Sequence, residues 1–147
     1  MKNLQIRKAT AADSEFAYQT KKAAFRGYME KSSGWNEEEQ RKLHQGRFAE
    51  HDFRIMQLSG VNVGILAMSW QPDCIKLHQM FILPEYQGRG IGGACVKLLI
   101  KNAAISQLPI QLRVLKVNPR AFAFYQRLGF KRTGENDDHF LMERPAE

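Results

Sequence analysis

The sequence predicts an α/β protein in which a mixed sheet carries helices on both faces. Its 147 residues are enough for one domain with a sizeable core, and we expect residues 1–147 to form that domain. Strand-like and helix-like segments follow one another in the order β-α-α-β-β-β-α-β-α-β-β. Past mid-chain, an apolar strand runs through a glycine-rich loop into an apolar helix, and the rest of the chain is organised around this junction.

Seven segments predict strands, because each is short, apolar or alternating in polarity, and bounded by turn residues. The pair Ser59-Gly60 predicts a hairpin turn between the second and third of them. The predicted strands cover residues 4–7, 52–58, 61–70, 76–83, 110–117, 130–133 and 139–142.

Four segments predict helices. Thr10 and Asp13 resemble a capping box, and the helix they open extends to about Tyr28. Asn36 predicts the cap of the second helix, whose nearly all-polar surface favours a surface lid over a core element. Gly129 ends the fourth helix. The third helix follows the glycine-rich loop and carries its apolar residues at helical spacing, at positions 91, 94, 95, 98 and 99.

The glycine-rich loop covers residues 84–93 and predicts an anion site. Glycines at 88, 90, 92 and 93 have no Cβ atom to hold a phosphate away from the backbone. The N–H groups and the dipole of the helix that follows also attract negative charge. The run lacks the Lys-Ser/Thr of a P-loop and the spacing of a dinucleotide-binding loop, so those two classes are disfavoured.

A second motif opens the fourth helix. Asn118 suits a helix cap, and Pro119 suits the first helical position. Tyr125 follows Asn118 by about two helical turns, which places both on one face, roughly 10 Å apart along the axis. Taken alone, Asn118 is better explained as a plain cap and Tyr125 as a core aromatic residue.

Together, residues 87–92 and 118–130 resemble the GNAT N-acetyltransferases. The first run matches the family pattern Gln/Arg-x-x-Gly-x-Gly/Ala, and the second matches Asn-x-x-Ala-x-x-x-Tyr-x-x-x-Gly-Phe. The predicted order of elements is also that of the GNAT fold, so the resemblance covers nearly the whole chain. It implies a splayed central strand pair and an acetyl-CoA-dependent enzyme in which a primary amine attacks the thioester directly.

The resemblance implies a role for each matching position. The backbone of Met80 to Ile82 would pair with the pantetheine arm and polarise the thioester oxygen. Asn118 would contact pantetheine, and Tyr125 would be the general acid for the leaving thiolate. Arg89 and Arg127 would assist with phosphates or be solvated charges. The implied acetyl-CoA-binding residues are Met80, Phe81, Ile82, Gln87, Gly88, Arg89, Gly90, Ile91, Gly92, Gly93, Asn118, Tyr125 and Arg127.

The general base is where the chain departs from common GNAT patterns. Arg113 occupies a position at which many members carry a glutamate. His78 lies two residues before Met80, on what alternation predicts to be the same strand face, and is the candidate base. A structural role for His78, or a water chain without a dedicated base, stays open.

The acceptor pocket is predicted from the second helix. Trp35, Glu37 and Glu38 are the candidates for lining it, and an exposed acidic helix turn is the alternative explanation of the two glutamates. The absence of an extra peptide-docking segment favours a small-molecule amine. An acetyltransferase acting on a protein amine and a catalytically idle CoA-thioester-binding regulatory module remain alternatives. A homodimer is compatible with so small a domain.

Composition limits the other classes of function. The net charge of +7 allows nucleic-acid binding, but the basic residues are scattered and no nucleic-acid motif occurs, which argues against it. No apolar run has the length of a membrane span and no apolar signal segment follows Met1, so we expect a cytoplasmic protein. The histidines and the two cysteines show no metal-ligand spacing, so no metal is expected.

Overall fold

The computed structural model describes residues 1–146 and contains the elements in the predicted order. Single turns of 3-10 helix occur at Ala11–Asp13 and Pro84–Tyr86. The helices are α1 (Ser14–Ser32), α2 (Glu37–Glu50), α3 (Ile91–Ser106) and α4 (Pro119–Arg127). The strands are β1 (Leu4–Lys8), β2 (Asp52–Leu58), β3 (Val61–Trp70), β4 (Ile75–Ile82), β5 (Ile110–Leu115), β6 (Lys131–Glu135) and β7 (His139–Arg144).

The strands form one mixed sheet in the order β1-β2-β3-β4-β5-β7-β6. Its central pair, β4 and β5, is parallel and joined only near the start of each strand, where Ile75 pairs with Ile110 and Lys76 with Gln111. Both strands continue beyond this point, β4 to Ile82 and β5 to Leu115. The predicted splayed pair and mixed sheet are therefore confirmed, and the splay opens a gap in the middle of the sheet.

The helices pack on both faces of the sheet, as predicted. Ile91 and Leu99 of α3 share one hydrophobic core with Tyr125 of α4, while Ala17 of α1 and Phe48 of α2 belong to a second core on the other face. The predicted apolar face of α3 is wrong at Leu98, which is 45% exposed. Because each residue turns a helix by about 100°, a face centred on 91, 95 and 99 turns Leu98 towards solvent.

A polar cluster joins β1 to the start of α1. Oδ2 of Asp13 accepts a hydrogen bond from the Thr10 N–H at 2.7 Å, which confirms the capping interaction between these residues. The Arg7 guanidinium donates to both carboxylate oxygens of Asp13, each at 2.8 Å. The capped turn is 3-10 rather than α-helical, and α1 itself extends beyond the predicted Tyr28 to Ser32.

We expect Asp13→Asn to lower the free energy of unfolding by about 1–2 kcal/mol at neutral pH, because it weakens a capping bond and a charge-assisted pair. The hydrogen bonds from Arg7 hold the pKa of Asp13 well below its usual range. The stabilisation by Asp13 is therefore complete above its unfolded pKa of about 3.9 and is lost as the pH falls towards the folded value. Urea unfolding of both proteins should show a difference that narrows below about pH 4. A constant difference would contradict this account.

The second helix begins at its predicted cap. The side-chain oxygen of Asn36 accepts a hydrogen bond from the Glu39 N–H at 2.9 Å. The C-terminal half of α2 is anchored, because buried His44 contacts Ser14 and the Phe48 ring packs 4.9 Å from that of Phe53. Its sparse apolar content did not predict this anchoring. Among residues 1–146, no helix is long and apolar enough to cross a membrane.

Candidate active site

A cavity of about 910 Å³ lies where β4 and β5 separate. Residues of both strands and of all four helices line it. It therefore passes through the gap in the sheet, from the α3–α4 face to the α1–α2 face. A volume of this size is typical of small-molecule and cofactor sites.

The glycine-rich loop forms one end of the cavity. Gly88 and Gly90 have φ values of +77° and +81°, a left-handed conformation that favours glycine. The first hydrogen bond of α3 runs from the Ala94 N–H to the Gly90 carbonyl, so the N–H groups of residues 91–93 precede it. Such N–H groups at a helix start can bind an anion. Every residue of the loop from 87 to 93 lines the cavity except Arg89.

The two arginines assigned to phosphates lie in different places. Arg127 lines the cavity. Arg89 instead donates to the Glu85 carbonyl at 3.2 Å and lies over the Tyr86 ring, with its guanidinium carbon 5.3 Å from the ring centroid. Arg127, but not Arg89, therefore lines the same cavity as the loop glycines.

The strand β4 supplies the middle of the cavity wall. Met80, Phe81 and Ile82 all line it, along the part of β4 that has separated from β5. Met80 and Ile82 face the core beneath α3, whereas Phe81 faces α1, where its ring lies 4.8 Å from that of Phe25. Backbone groups along this edge do not pair with β5, so they can receive an extended ligand as an added strand would.

Asn118 and Tyr125 lie on the cavity side of α4. The side-chain oxygen of Asn118 accepts from the Ala121 N–H at 3.1 Å, so this residue both caps the helix and lines the cavity. Tyr125 is 8% exposed and packs edge-to-face on Phe124 and Phe130, with centroid distances of 5.0 and 5.4 Å. Burial raises the pKa of Tyr125, so the hydroxyl stays protonated and can donate a proton.

His78 lines the cavity, but on the opposite strand face from the predicted one. The β3–β4 pairing passes from Met68–Leu77 to Ala67–Gln79 and skips His78, which marks a β-bulge. Alternation therefore shifts at this point: Leu77 and Met80, three residues apart, both face α3. The His78 ring faces the other side and stacks on His51 at a centroid distance of 3.8 Å.

The imidazole of His78 is unprotonated at neutral pH. Burial of the ring, reinforced by the charges of His51, Lys76, Arg47 and Arg113, lowers its pKa to about 4. Nε2 lies 2.6 Å from the Ser69 hydroxyl, which holds the ring in place. A neutral imidazole on the cavity wall can accept a proton.

Of the three acceptor-pocket candidates, Trp35 alone lines the cavity. Glu37 accepts from Lys22 at 2.6 Å and from the Trp35 indole at 3.1 Å, and it also binds the Tyr18 hydroxyl. Glu38 pairs with Lys42 on the exposed surface of α2. Glu37 and Glu38 therefore do not line the cavity as the sequence predicted. Glu37 is held outside it by its hydrogen bonds to side chains of α1. Glu39 is the glutamate of this turn that lines it.

Several polar residues of the cavity wall were not predicted. Lys21 and Gln40, 4% and 7% exposed, join α1 to α2 by a 3.1 Å hydrogen bond. Gln79 is 6% exposed, and Arg47 and Arg113 lie on the same side of the cavity. The sequence signal for Lys21 is its position on the inward face of α1, one residue after buried Thr20. The structure shows no group of three His, Cys, Asp or Glu side chains arranged for a metal within residues 1–146.

Comparison with known proteins identifies related chains. The model of the acetyltransferase (GNAT) family matches residues 16–130. The chain is 31% identical over 90 residues to an uncharacterized N-acetyltransferase of Methanocaldococcus jannaschii, and 30% identical over 92 residues to N-acetylaspartate synthetase of Danio rerio. These matches cover 56% and 60% of the chain, but 40% and 33% of the two relatives. The chain thus matches less than half the length of either relative.

A solved structure shares the fold over almost the whole chain. The PaiA N-acetyltransferase of Thermoplasma acidophilum, in complex with coenzyme A, aligns with a TM-score of 0.75 at 19% identity. The alignment covers 97% of this chain and 98% of that one.

Proposed function

The chain belongs to the acetyltransferase (GNAT) family, and from that premise we propose that it transfers an acetyl group from acetyl-CoA to a primary amine of a small molecule. One observation carries the proposal. A glycine-rich helix start, an unpaired strand edge and a buried tyrosine line the same cavity. They match the three parts of acetyl-CoA that must be held: phosphates, the extended pantetheine arm and the thioester.

The loop and β4 would bind the donor. The N–H groups of residues 91–93 and the guanidinium of Arg127 supply positive charge for the phosphates. The exposed edge of Met80 to Ile82 offers backbone hydrogen bonds to pantetheine, and Asn118 lies across the gap. A β4 N–H directed at the thioester oxygen would stabilise the negative charge that develops there.

The reaction needs two proton transfers. The amine nitrogen forms a bond to the thioester carbon, and the carbon–sulfur bond breaks as the thiolate leaves. Tyr125 donates its hydroxyl proton to that thiolate, since burial keeps the phenol protonated. His78 takes the proton that the amine loses, since its imidazole is neutral at physiological pH.

We expect His78→Ala to lower kcat/KM by about tenfold, a modest loss because a base of low pKa assists proton transfer weakly. Since the pKa of His78 is lowered to about 4, the acid limb that this group imposes should lie near that pH rather than near 6.5. His51→Ala removes a neighbour whose charge lowers the pKa of His78, so it should move the acid limb of the pH–rate profile to higher pH. Unchanged kcat/KM in His78→Ala would assign the proton to water instead.

Two observations support a small-molecule acceptor. The acceptor side of the cavity is walled by α1 and α2 and lined there by buried side chains, including Lys21 and Gln40. One relative is named for the synthesis of N-acetylaspartate, an acetylated small amine. A catalytically idle CoA-thioester-binding module is the second candidate, favoured by the presence of Arg113 where a base would suit catalysis. Turnover separates the two.

Calorimetric titration with acetyl-CoA, with CoA lacking its 3′-phosphate and with NAD tests the donor. Micromolar binding of acetyl-CoA without binding of NAD is expected. The matched variant is Gly93→Val, because a Cβ atom at Gly93 meets no protein atom within 4 Å while the position lines the cavity. This variant should fold and lose acetyl-CoA binding. Folded wild-type protein that does not bind acetyl-CoA would contradict the proposed function.

A further inference from the structure

Three cations converge on the acceptor side of the cavity. Lys21 comes from α1, Arg47 from the last turn of α2 and Arg113 from β5. Leu112 and Val114 face the α3–α4 core, so alternation turns Arg113 to the α1–α2 side. We call Lys21, Arg47 and Arg113 the cationic corner.

Within residues 1–146, no carboxylate forms an ion pair with the cationic corner. Nζ of Lys21 donates to the amide oxygen of Gln40, and in the part of the chain that the structure describes the guanidinium groups of Arg47 and Arg113 make no ion pair or hydrogen bond. Burial, together with the charges of Arg47 and Arg113, lowers the pKa of Lys21 to about 8. Like charges held together in a partly dry site cost free energy, and a bound anion would offset that cost.

The other ionisable groups on the cavity wall do not compensate the positive charge of the cationic corner. Burial and the charge of Arg113 lower the pKa of His139, and His78 is neutral at pH 7. Glu39 lies two helical turns before Arg47, about 12 Å along the axis. Asp138 adjoins His139 in the turn before β7. Neither acid is among the charges that act on Lys21 or Arg47.

A buried amide on the wall of the same cavity also lacks a hydrogen-bond partner among residues 1–146. Gln79 is 6% exposed and lines the cavity, and neither its Nε2 nor its Oε1 meets a hydrogen-bond partner within residues 1–146. Buried amides are normally satisfied, because an unpaired polar group costs about 1–3 kcal/mol. Nε2 can donate to an anion, and Oε1 can accept from an amine N–H.

We infer that the acceptor is a small amine that carries a carboxylate, as an amino acid does, and that the cationic corner binds the carboxylate while Gln79 bridges it to the amine. This inference rests on the proposed function and names its substrate class. Arginine and lysine side chains suit carboxylates, and a site built for charged hydrogen bonds rejects analogues that lack the charge. Polyamines and other polycations are disfavoured by the same charges.

The cationic corner would also assist the chemistry. Only the neutral amine can attack the thioester, and nearby positive charges lower the pKa of an ammonium group. Carboxylate binding therefore brings the amine to a place where it loses its proton more easily. The amine would then depend less on His78 to remove its proton, and His78 is a weak base because its pKa is low.

Matched acceptor pairs test the inference. Thiol release is measured at saturating acetyl-CoA with L-glutamate and L-leucine, with their α-amides and with spermidine. We expect kcat/KM for an acid to exceed that for its amide by about 10- to 100-fold, mainly through KM, as charge-assisted hydrogen bonds imply. The amide has the less basic amine, so intrinsic reactivity alone would favour the amide.

Variants then locate the effect. Arg113→Gln and Arg47→Gln should reduce the acid-to-amide ratio towards one while leaving the KM for acetyl-CoA unchanged. The control is Lys101→Gln, which removes the same charge from the exposed surface of α3 and should leave the ratio unaltered. A second readout is calorimetric binding of N-acetyl-L-glutamate, against its amide, to the protein with CoA.

Several outcomes would overturn the inference. Equal or better turnover of amides or spermidine would do so while leaving the proposed function intact. Acetylation of peptide N-termini but not of free amino acids would overturn the inference and also the small-molecule acceptor of the proposed function. If the arginine variants left the acid-to-amide ratio of kcat/KM unchanged, the cationic corner would not be the carboxylate site. Failure of acetyl-CoA to bind at all would instead refute the proposed function, and the two failures are therefore distinguishable.

Discussion

Tyr125→Phe is expected to lower kcat by about 10²- to 10³-fold and to leave the affinity for acetyl-CoA unchanged. The hydroxyl is the group that would protonate the departing thiolate, whereas the ring packs on Phe124 and Phe130 and would stay in place. Steady-state kinetics give kcat, and calorimetry gives the dissociation constant of acetyl-CoA. Burial raises the pKa of Tyr125, so its hydroxyl does not ionise within the usual assay range. The alkaline side of the pH–rate profile should therefore be the same in the variant and in the wild type.

Tyr18→Phe is the matched control for this change. Tyr18 is as deeply buried, but its hydroxyl binds Glu37 and it does not line the cavity. Loss of that hydroxyl should reduce stability and leave kcat within a few-fold of the wild type. Full turnover in Tyr125→Phe would exclude the general-acid role. A protein that binds acetyl-CoA but acetylates no amine, with or without Tyr125, would instead be the idle binding module.

Gly64→Ala is expected to cause the largest loss of stability, about 3 kcal/mol, near the upper end for overpacking. Gly64 lies in β3 between β2 and β4. A Cβ atom there would lie 2.7 Å from the carbonyl oxygen of Phe81 and 2.9 Å from the Met56 sulfur. The sulfur can move, but the carbonyl belongs to the backbone of β4. Thermal unfolding should show a decrease in Tm of roughly 6–12 °C.

Gly46→Ala, the same substitution at a second glycine, is expected to raise the stability of the protein instead of lowering it. Gly46 lies inside α2, and a Cβ atom there meets nothing within 4 Å. Alanine should stabilise the helix by about 0.5–1 kcal/mol. Gly64→Ala should also weaken acetyl-CoA binding, because displacing the backbone of Phe81 would shift the strand that carries the proposed donor edge. Equal stability of the two variants would contradict the close packing of β3 against β4.

Local sequence signals were sufficient for the order of elements. The caps at Thr10 and Asn36 and the hairpin at Ser59-Gly60 depend on neighbouring residues, and the structure has all of them. The splayed strand pair was implied by the GNAT resemblance. The predicted apolar face of α3 wrongly included Leu98, because spacing alone does not show which side of a nearly all-apolar helix meets the sheet.

The details of the cavity wall depend on contacts between distant segments. The bulge at His78 arises from the pairing of β4 with β3, which no local pattern in β4 reports. Lys21 is a charged residue on an inward helix face, and burial preferences place lysine in solvent. Glu37 is bound by Lys22 and Tyr18 from another helix, so its location could not be read from its own helix turn.

The bulge in β4 has a geometric consequence for how two reactants meet. Without it, His78 and Met80 would share one face and Gln79 the other. With it, His78 and Gln79 lie together on the α1–α2 side, and Met80 begins the α3 side. In the proposed reaction, neighbouring residues of a single strand would therefore present the nucleophile and the electrophile from opposite sides of the sheet. Their separation would be set by covalent backbone geometry, which thermal motion changes far less than it changes the docking of two separate elements.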